Sequence, residues 1–595
     1  MGMNSLLMWA GDSKCGKSKE VWVLGMFTLL MGFSISFFLV FLHLSSFDWS
    51  SCVIMSVSVG NSFLLDLSFP FLLDWVSLSF GTVVCFISSW VVMYSRFYMA
   101  DEVFLLRFLT LVILFVLSMN LLIFSPSIFS LMVGWDGLGV VSFLLVVYYS
   151  NSESYSAGMI TVFSNRVGDV FFIIFIVFCC SCLDFSFFGG MAYLKEGLWA
   201  MGLCVLLGSI TKSAQLPFCA WLPAAMAAPT PVSTLVHSST LVTAGVYVVF
   251  RFGFMMSDNM KTCLLMISII TFFLASLSGI YEVDLKKVVA LSTLSQVSMM
   301  MLALGLGCMS LAFFHLLVHA FFKALMFMCV GSVIACSGGV QDIRFLSSFW
   351  KKLPLSMSWY CISVACLCGL PFMSGFFSKD LIVEKVLGSS CGVFLFFLCL
   401  ISVTLTVCYS TRSLSLLFKS QENIFLSVSS EGNIFLSVSL FGLGFGGFFG
   451  GFFLQNLLME GMLFIEPSSP MKPLILFFLL FGFFLTWFSF ESKSWSPSGL
   501  FSSSSFVRLR SNMFFLPFLT GNLMGYVFMN YSSLMVKYIE GFWVSKMLWE
   551  NGFGKVVRFS GTKVRGFSGY EFSDIGFSLG MVMFVFIFSY LMFFN

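Results

Sequence analysis

The chain has 595 residues, 59% hydrophobic and only 10% charged, with a formal net charge of +3. A water-soluble protein of this size presents a mixed surface and cannot hide so much apolar area, so a soluble fold is excluded. The small net charge offers no electrostatic footprint for nucleic acid.

Apolar runs of about 20 residues, each long enough to cross ~30 Å of hydrocarbon, recur along the chain. They fall at 22–42, 73–94, 103–124, 127–149, 159–183, 197–216, 233–256, 262–281, 287–306, 309–336, 353–376, 390–410, 438–458, 472–490 and 575–594. The pattern predicts an all-α polytopic membrane protein. Two runs are punctuated. "TKSAQLPFCAWLPAAMAAPTPVS" holds Pro217, Pro223, Pro229 and Pro231, and "CGLPFMSGFFSKD" holds Pro371 and Gly375. Proline removes a backbone donor, and in lipid a broken helix is tolerated only where protein or an internal water path satisfies the freed groups. Each broken segment carries a lysine, Lys212 and Lys379. Two interrupted, charged segments in the two halves predict an internally repeated transporter.

The serine-rich stretch "ESKSWSPSGLFSSSS" reads as a loop, and "NIFLSVS" at 423–429 and again at 433–439 as a local duplication without chemistry. From about 530 to 556, Lys537, Glu540, Lys546, Glu550 and Lys555 alternate with aromatic and aliphatic residues, which predicts an amphipathic helix lying along a surface.

Two motif matches are declined. "GDSKCGKS" at 11–18 satisfies the P-loop pattern, but a membrane span follows where the mechanism needs a parallel-sheet domain. Gly442, Gly444 and Gly447 spell GxGxxG inside an apolar run, where small residues permit close helix packing. The 18 Cys form no paired CxxC framework around a loop and read as small buried hydrophobes. The abundance of Phe (79), Gly (49) and Met (37) against 4 His favours codons rich in T and G. We take this as a strand-biased gene of the organellar kind; a balanced G+T content of the coding strand would refute it. No cleavable presequence is recognisable, as expected of a protein made inside the organelle.

The chemistry concentrates in "FFHLLVHAFFKALMF". His315, His319 and Lys323 recur every four residues, so they fall within about 80° of one helix face and span ~12 Å along it. A single histidine there reads as a satisfied core residue; three proton-binding groups without a carboxylate on the same helix read as a proton or ion path. Asp136, Arg166, Asp169, Lys212, His237, Lys379, Asp380 and Glu384 join them, with Arg166 and Glu384 equally compatible with a membrane surface. Moving a proton against ~200 mV costs about 4.6 kcal/mol at ~2.3 per 100 mV. That equals a pKa swing of about 3 units. Desolvating a lysine and giving it back a carboxylate neighbour supplies a swing of that size, and histidine relays protons between such lysines.

At these residues the sequence resembles a known family. "GWDGLGVVSFLL", "NRVGDVF", "KSAQLPFCAWLPAAMAAPTPVSTLVHSSTLVTAGVY", "DLKKVVALSTLSQ", "FHLLVHAFFKALMF" and "GFFSKD" are similar to the subunit 5 family of mitochondrial NADH:ubiquinone oxidoreductase (respiratory complex I). That family is related to the large membrane subunits of multisubunit (Mrp-type) sodium/proton antiporters. The motifs cover roughly 70–410; beyond that the likeness rests on layout. The resemblance implies about 15–16 transmembrane helices, two inverted five-helix repeats with broken helices, and a C-terminal lateral amphipathic helix. It divides the chain into N-terminal helices (1–102), an antiporter-like proton-translocating core (103–410), additional helices and polar loops (411–529), the lateral helix (530–572) and a final anchor (573–595). Carried over by motif, Asp136 is the carboxylate partner of Lys212, Asp169 modulates that pair and His237 begins the relay. His315, His319 and Lys323 form its centre, and Lys379 with Asp380 the terminal exchange site. The implied partners are other complex I membrane-arm subunits, above all the neighbouring antiporter-like one contacted by the lateral helix, and membrane lipids. NADH, FMN, iron–sulfur clusters and ubiquinone are expected in other subunits, with no cofactor or metal in this chain, which is expected in the mitochondrial inner membrane.

Two departures stand out. The family usually has Glu where this chain has Asp136, which shortens the reach to Lys212 by ~1.5 Å and leaves open whether the two touch directly or through a bridging water. The family also has two spans before the one at 73–94, where one is recognisable here. Two other classes share some of these residues. A haem-binding cytochrome would use two His on facing helices, whereas two of the 4 His here share one helix face. A stand-alone cation/proton antiporter uses the same charged set, and co-migration with NADH dehydrogenase activity separates it.

Overall fold

A computed structural model of the chain describes residues 15–45, 52–62, 65–181, 198–388, 393–419, 432–459, 471–491, 513–516, 524–539 and 555. The expected last span, most of the expected lateral helix and the serine-rich loop lie outside the described residues. Two units divide the chain, Met1–Pro517 and Phe518–Asn595. In the second, the described helix is Met524–Met535.

The first unit is a helical membrane protein. Its apolar helices are α1 (Cys15–Ser45), α2 (Trp75–Tyr98), α3 (Leu105–Phe124), α4 (Ile128–Val146), α5 (Ser152–Ser181), α6 (Leu198–Lys212), α7 (Thr230–Arg251), α8 (Asp258–Tyr281), α9 (Leu285–Gly305), α10 (Met309–Cys336), α11 (Pro354–Cys368), α12 (Phe376–Gly388), α13 (Val393–Phe418), α14 (Ile434–Met459) and α15 (Met471–Glu491). Among the described residues, 11 helices are long and apolar enough to span a bilayer, and four apolar helices are shorter. Fourteen of the fifteen sequence-predicted spans coincide with these helices. Hydroxyls are accommodated inside them by bonding back one turn, as Ser292 does to the Val289 carbonyl.

An element the sequence reading did not contain precedes α2. Val53–Ser62 (β1) and Leu65–Leu73 (β2) pair as an antiparallel hairpin, with the register slipping between Ser58 and Asn61. Pro70 is tolerated because a two-stranded sheet has a free edge on each strand. The hairpin runs into Asp74, whose carboxylate accepts from the Ser77 amide while the Ser77 hydroxyl accepts from the Asp74 amide, a reciprocal cap that starts α2.

Helices α7, α9 and α10 are buried along their whole apolar lengths and form the centre. Around α10 lie α2, α7, α9, α11, α12 and α14. The GxGxxG glycines lie on α14, where a Cβ on Gly442 would strike the Trp90 ring and one on Gly444 the Trp359 ring. Ten of the fourteen cysteines whose side-chain burial is described are buried, the behaviour of small hydrophobes.

Both punctuated segments are interrupted helices. The first stops at Lys212, passes Ala214 at positive φ (53°), makes short turns over Phe218–Ala227 and restarts at Thr230 as α7, whose first part, Ser233–Thr240, is a π-helix. The second stops at Cys368 with Gly369 in the left-handed conformation (φ 80°), eight residues before the run at 353–376 ends, and restarts at Phe376. Gly375 lies so close to the Cys366 carbonyl that no side chain fits there.

Candidate functional site

The two interruptions place amines in the interior. Lys212, Lys323, His315 and His319 expose no surface, and Lys379 and His237 are equally buried. The predicted site residues divide into two clusters, with one residue apart from both.

The first cluster sits at the end of α6. Lys212 Nζ donates to the Trp135 carbonyl of α4 (2.7 Å) and lies 3.6 Å from the centre of the Trp135 ring, a cation–π geometry. The Trp135 indole N–H donates to Asp169 Oδ1 of α5 (2.9 Å), and Asp169 Oδ2 accepts from Arg166 (3.1 Å). One tryptophan thus bridges amine and carboxylate. Neither Asp136 nor Asp169 makes an ion pair with Lys212; Asp136 leaves Oδ1 buried without a hydrogen bond, and Asp169 exerts the larger electrostatic effect on the amine. The carboxylate that the motif assigns as partner makes no ion pair with Lys212, and Asp169 is the one linked through Trp135. Gly134 allows this arrangement, because its Cα lies against the α3 backbone where a Cβ would approach Leu122 N to 2.6 Å.

The second cluster joins α10, the interruption between α11 and α12, and α13. His315 Nδ1 shares a hydrogen bond with the Ser378 hydroxyl (2.8 Å), and the His315 and His319 rings are 6.2 Å apart. Lys323 donates to the Ser292 hydroxyl of α9 (2.5 Å). Lys379 reaches back to the carbonyls of Leu367 (3.3 Å) and Cys368 (3.2 Å) and to the Thr406 hydroxyl (3.1 Å). The helix break explains this seat: the last carbonyls of α11 have no intrahelical donor and carry the negative end of its dipole. Lys379 lies within electrostatic range of both His315 and Lys323. Asp380 faces Gly369 with Oδ1 buried and unbonded, and Glu384 interacts with it from the next turn.

His237 belongs to neither cluster. It lies in the π-helical part of α7 against the Trp221 ring (6.1 Å), and neither ring nitrogen has a hydrogen-bond partner.

Several site residues escaped the sequence reading. Trp135 precedes the aspartate that drew attention, and Ser292, Ser378 and Thr406 are hydroxyls without a spacing signal. Lys286, inside the quoted "DLKKVV", is buried and donates to the Ala228 carbonyl (3.3 Å) beside the first interruption. Asp74 and Arg251 form a bidentate pair (2.6 and 2.9 Å) that ties the start of α2 to the end of α7, and Arg251 also donates to the Tyr247 hydroxyl. Among the described residues, no group of three His, Cys, Asp or Glu is placed to hold a metal ion.

Interrupted helices that seat buried amines define a class, and known structures share the fold. A chain of the Mrp complex from Dietzia sp. DQ12-45-1b superposes with a TM-score of 0.65 at 21% identity, covering 82% of this chain and 58% of that longer one. A chain of the membrane-bound sulfane sulfur reductase, an archaeal respiratory membrane complex, superposes at 0.64 and 20% identity, covering 76% and 92%. The protein is thus an all-α polytopic membrane protein with the antiporter-like fold. Sequence profiles narrow this. Residues 125–406 match the transmembrane family of NADH:quinone oxidoreductase and Mrp antiporters, and 47–109 match the complex I chain 5 N-terminus. NADH-ubiquinone oxidoreductase chain 5 of Anopheles gambiae is 42% identical over 504 residues (82% of this chain, 85% of the relative). That of Mytilus edulis is 41% identical over 502 (84% and 87%). The chain belongs to the NADH-ubiquinone oxidoreductase chain 5 family.

Proposed function

We propose that this chain is a proton-translocating membrane-arm subunit of NADH:ubiquinone oxidoreductase in the mitochondrial inner membrane. Quinone reduction in other subunits drives it, and its own residues carry the protons. The observation that supports this most is the seating of three wholly buried amines, Lys212, Lys323 and Lys379, on neutral oxygens, without a direct ion pair. An amine bonded only to carbonyls and hydroxyls can exist with or without its proton, whereas a tight buried ion pair is locked charged.

In this reading Asp169, Trp135 and Asp136 tune Lys212, and His237 passes the proton inward through internal water. Lys323, His319 and His315 conduct it along α10, and Lys379 with Asp380 exchanges it at the far end. The interruptions after Lys212 and after Cys368 fall in two successive series of helices, α3–α7 and α8–α13, which this reading takes as inverted repeats. NADH, FMN, iron–sulfur clusters and ubiquinone belong to other subunits. Arg166 supports a neighbour on the α5 face: its side chain is 56% exposed midway along a membrane helix, among exposed Phe163, Val167 and Val170. A lipid-facing guanidinium at that depth is costly, so another membrane-arm subunit covers it. The amphipathic sequence at 530–572 is the segment this reading assigns to contact with an adjacent antiporter-like subunit.

The test is Lys212→Ala in the assembled complex, reading protons moved per NADH oxidised in closed vesicles. Loss of translocation is expected; unchanged stoichiometry overturns the role of Lys212. A stand-alone cation/proton antiporter remains the alternative, and Na⁺-dependent exchange by the isolated chain would establish it.

A further inference from the structure

The central lysine has a problem that the first one does not. Lys212 stands beside two carboxylates, but the charged and titratable groups around the Lys323 amine are Lys379 on α12, Cys368 at the end of α11, and His319 and His315 one and two turns back on its own helix. None is a carboxylate. A protonated lysine has three N–H donors, and Lys323 uses one, on Ser292.

One turn beyond Ser292 on the same face of α9 lies Gln296, fully buried, with its amide oxygen unbonded. Helical side chains lean toward the N-terminus, which carries the Gln296 amide over the turn that holds Ser292. On its other flank stands Tyr409 of α13, whose hydroxyl shares a hydrogen bond with Ser295 (3.2 Å) and faces the Gln296 amide. Ser292, Ser295 and Gln296 fall within about 100° of the helix surface. A buried amide oxygen left unsatisfied one turn from the hydroxyl that holds an ammonium with two unused donors is the complementary half of one hydrogen-bonding site.

Building on the relay proposed above, we infer that Gln296 is a positioning residue for Lys323. Its amide oxygen accepts from the ammonium, directly or through one bound water, and Tyr409 orients the amide by accepting from its N–H₂. A neutral dipole thus takes the place that a carboxylate holds near Lys212. It steadies the charged amine without binding the proton so tightly that it cannot leave.

The experiment uses the whole complex in closed vesicles and reads proton translocation per NADH oxidised as a function of pH, with assembly checked on a native gel. Gln296→Leu removes the acceptor, so Lys323 loses its proton more easily and the alkaline limb moves down by about 1–2 pH units, the worth of one hydrogen bond to a charged group. Gln296→Glu, of the same shape, moves the limb up. Tyr409→Phe moves it down by less. Coincidence of the Gln296→Glu limb with that of the unaltered complex overturns the proposal, as does a shift of Leu and Glu in the same direction. If Gln296→Leu fails to assemble, the isosteric Glu and Phe variants decide alone. Lys323→Ala separates the two readings. If it leaves translocation intact, the relay itself fails; if it abolishes translocation while the Gln296 variants keep the original limb, only the role of Gln296 fails.

Discussion

The two interrupted helices solve the same problem with different surroundings. At the first, Lys212 ends its helix and turns to an aromatic ring and a carbonyl of α4, with Asp169 held one tryptophan away. At the second, Lys379 begins its helix and turns back to the open carbonyls of α11, while Lys323 across from it rests on a hydroxyl. Both Lys212 and Lys379 sit on neutral oxygens with a carboxylate acting from nearby, Asp169 and Asp380, whereas Lys323 has only oriented dipoles around it. Charge acts at range and tolerates a loose fit; dipoles act only at contact, so the second site depends on close geometry.

That contrast predicts the largest effect at Gly375. Gly375→Val forces apart the Cys366 carbonyl and the start of α12, at a cost of about 3 kcal/mol, and removes the seat of Lys379. Complex carrying it is expected to assemble poorly on a native gel, with what assembles failing to translocate; full assembly and coupling would mean that the carbonyl seat is dispensable.

Next comes the first site, where the two carboxylates differ in rank. Asp169→Asn removes the negative charge linked to Lys212 through Trp135 and is expected to reduce proton translocation about tenfold or more, while Asp136→Asn has the smaller effect. The reverse order in vesicle assays would restore Asp136 as the principal partner.

The bidentate pair Asp74–Arg251 provides a pH test at the edge of the membrane. Burial pushes the Asp74 carboxyl up, but hydrogen bonds and charge from Arg251 and bonds from Ser77 outweigh it and hold the carboxyl below its usual 3.8. A carboxyl depressed in the folded state stabilises fully above about pH 4 and stops doing so as pH falls through its depressed value. Asp74→Asn should lower the melting temperature at neutral pH, with a loss of about 3 kcal/mol, and flatten the acid side of the stability profile. An unchanged acid limb would assign the acid sensitivity elsewhere.

The smallest effect belongs to Ser378→Ala. It removes the partner of His315 Nδ1, about 1 kcal/mol, and is expected to slow coupled turnover less than tenfold. A loss as large as that of Lys212→Ala would make the hydroxyl an obligatory carrier.

Much of the fold was legible because apolar runs as long as a bilayer have few alternatives, and because Pro217 to Pro231 and Pro371 with Gly375 announce breaks that only a membrane interior of protein or water tolerates. The hairpin before α2 was not. In a chain this apolar, the alternation of "VIMSVSV" is lost among longer runs, and the pairing of Val53 with Leu73 is set by register across the turn. Nor was the π-helical part of α7, which packing selects against a sequence equally able to form an α-helix.

For the site, the sequence by itself determined the inventory: which amines, imidazoles and carboxylates lie within membrane helices, and that His315, His319 and Lys323 share one face. Four-residue spacing is a local property of a helix, so no tertiary information is needed to know it. Only the tertiary structure decided who touches whom. Lys212 reaches a carbonyl 77 residues away, Lys323 a hydroxyl 31 residues away, and His237 stands apart from both clusters. Hydrogen bonds act over about 3 Å, and contacts that short between distant segments are fixed by helix packing, which one-dimensional spacing does not encode.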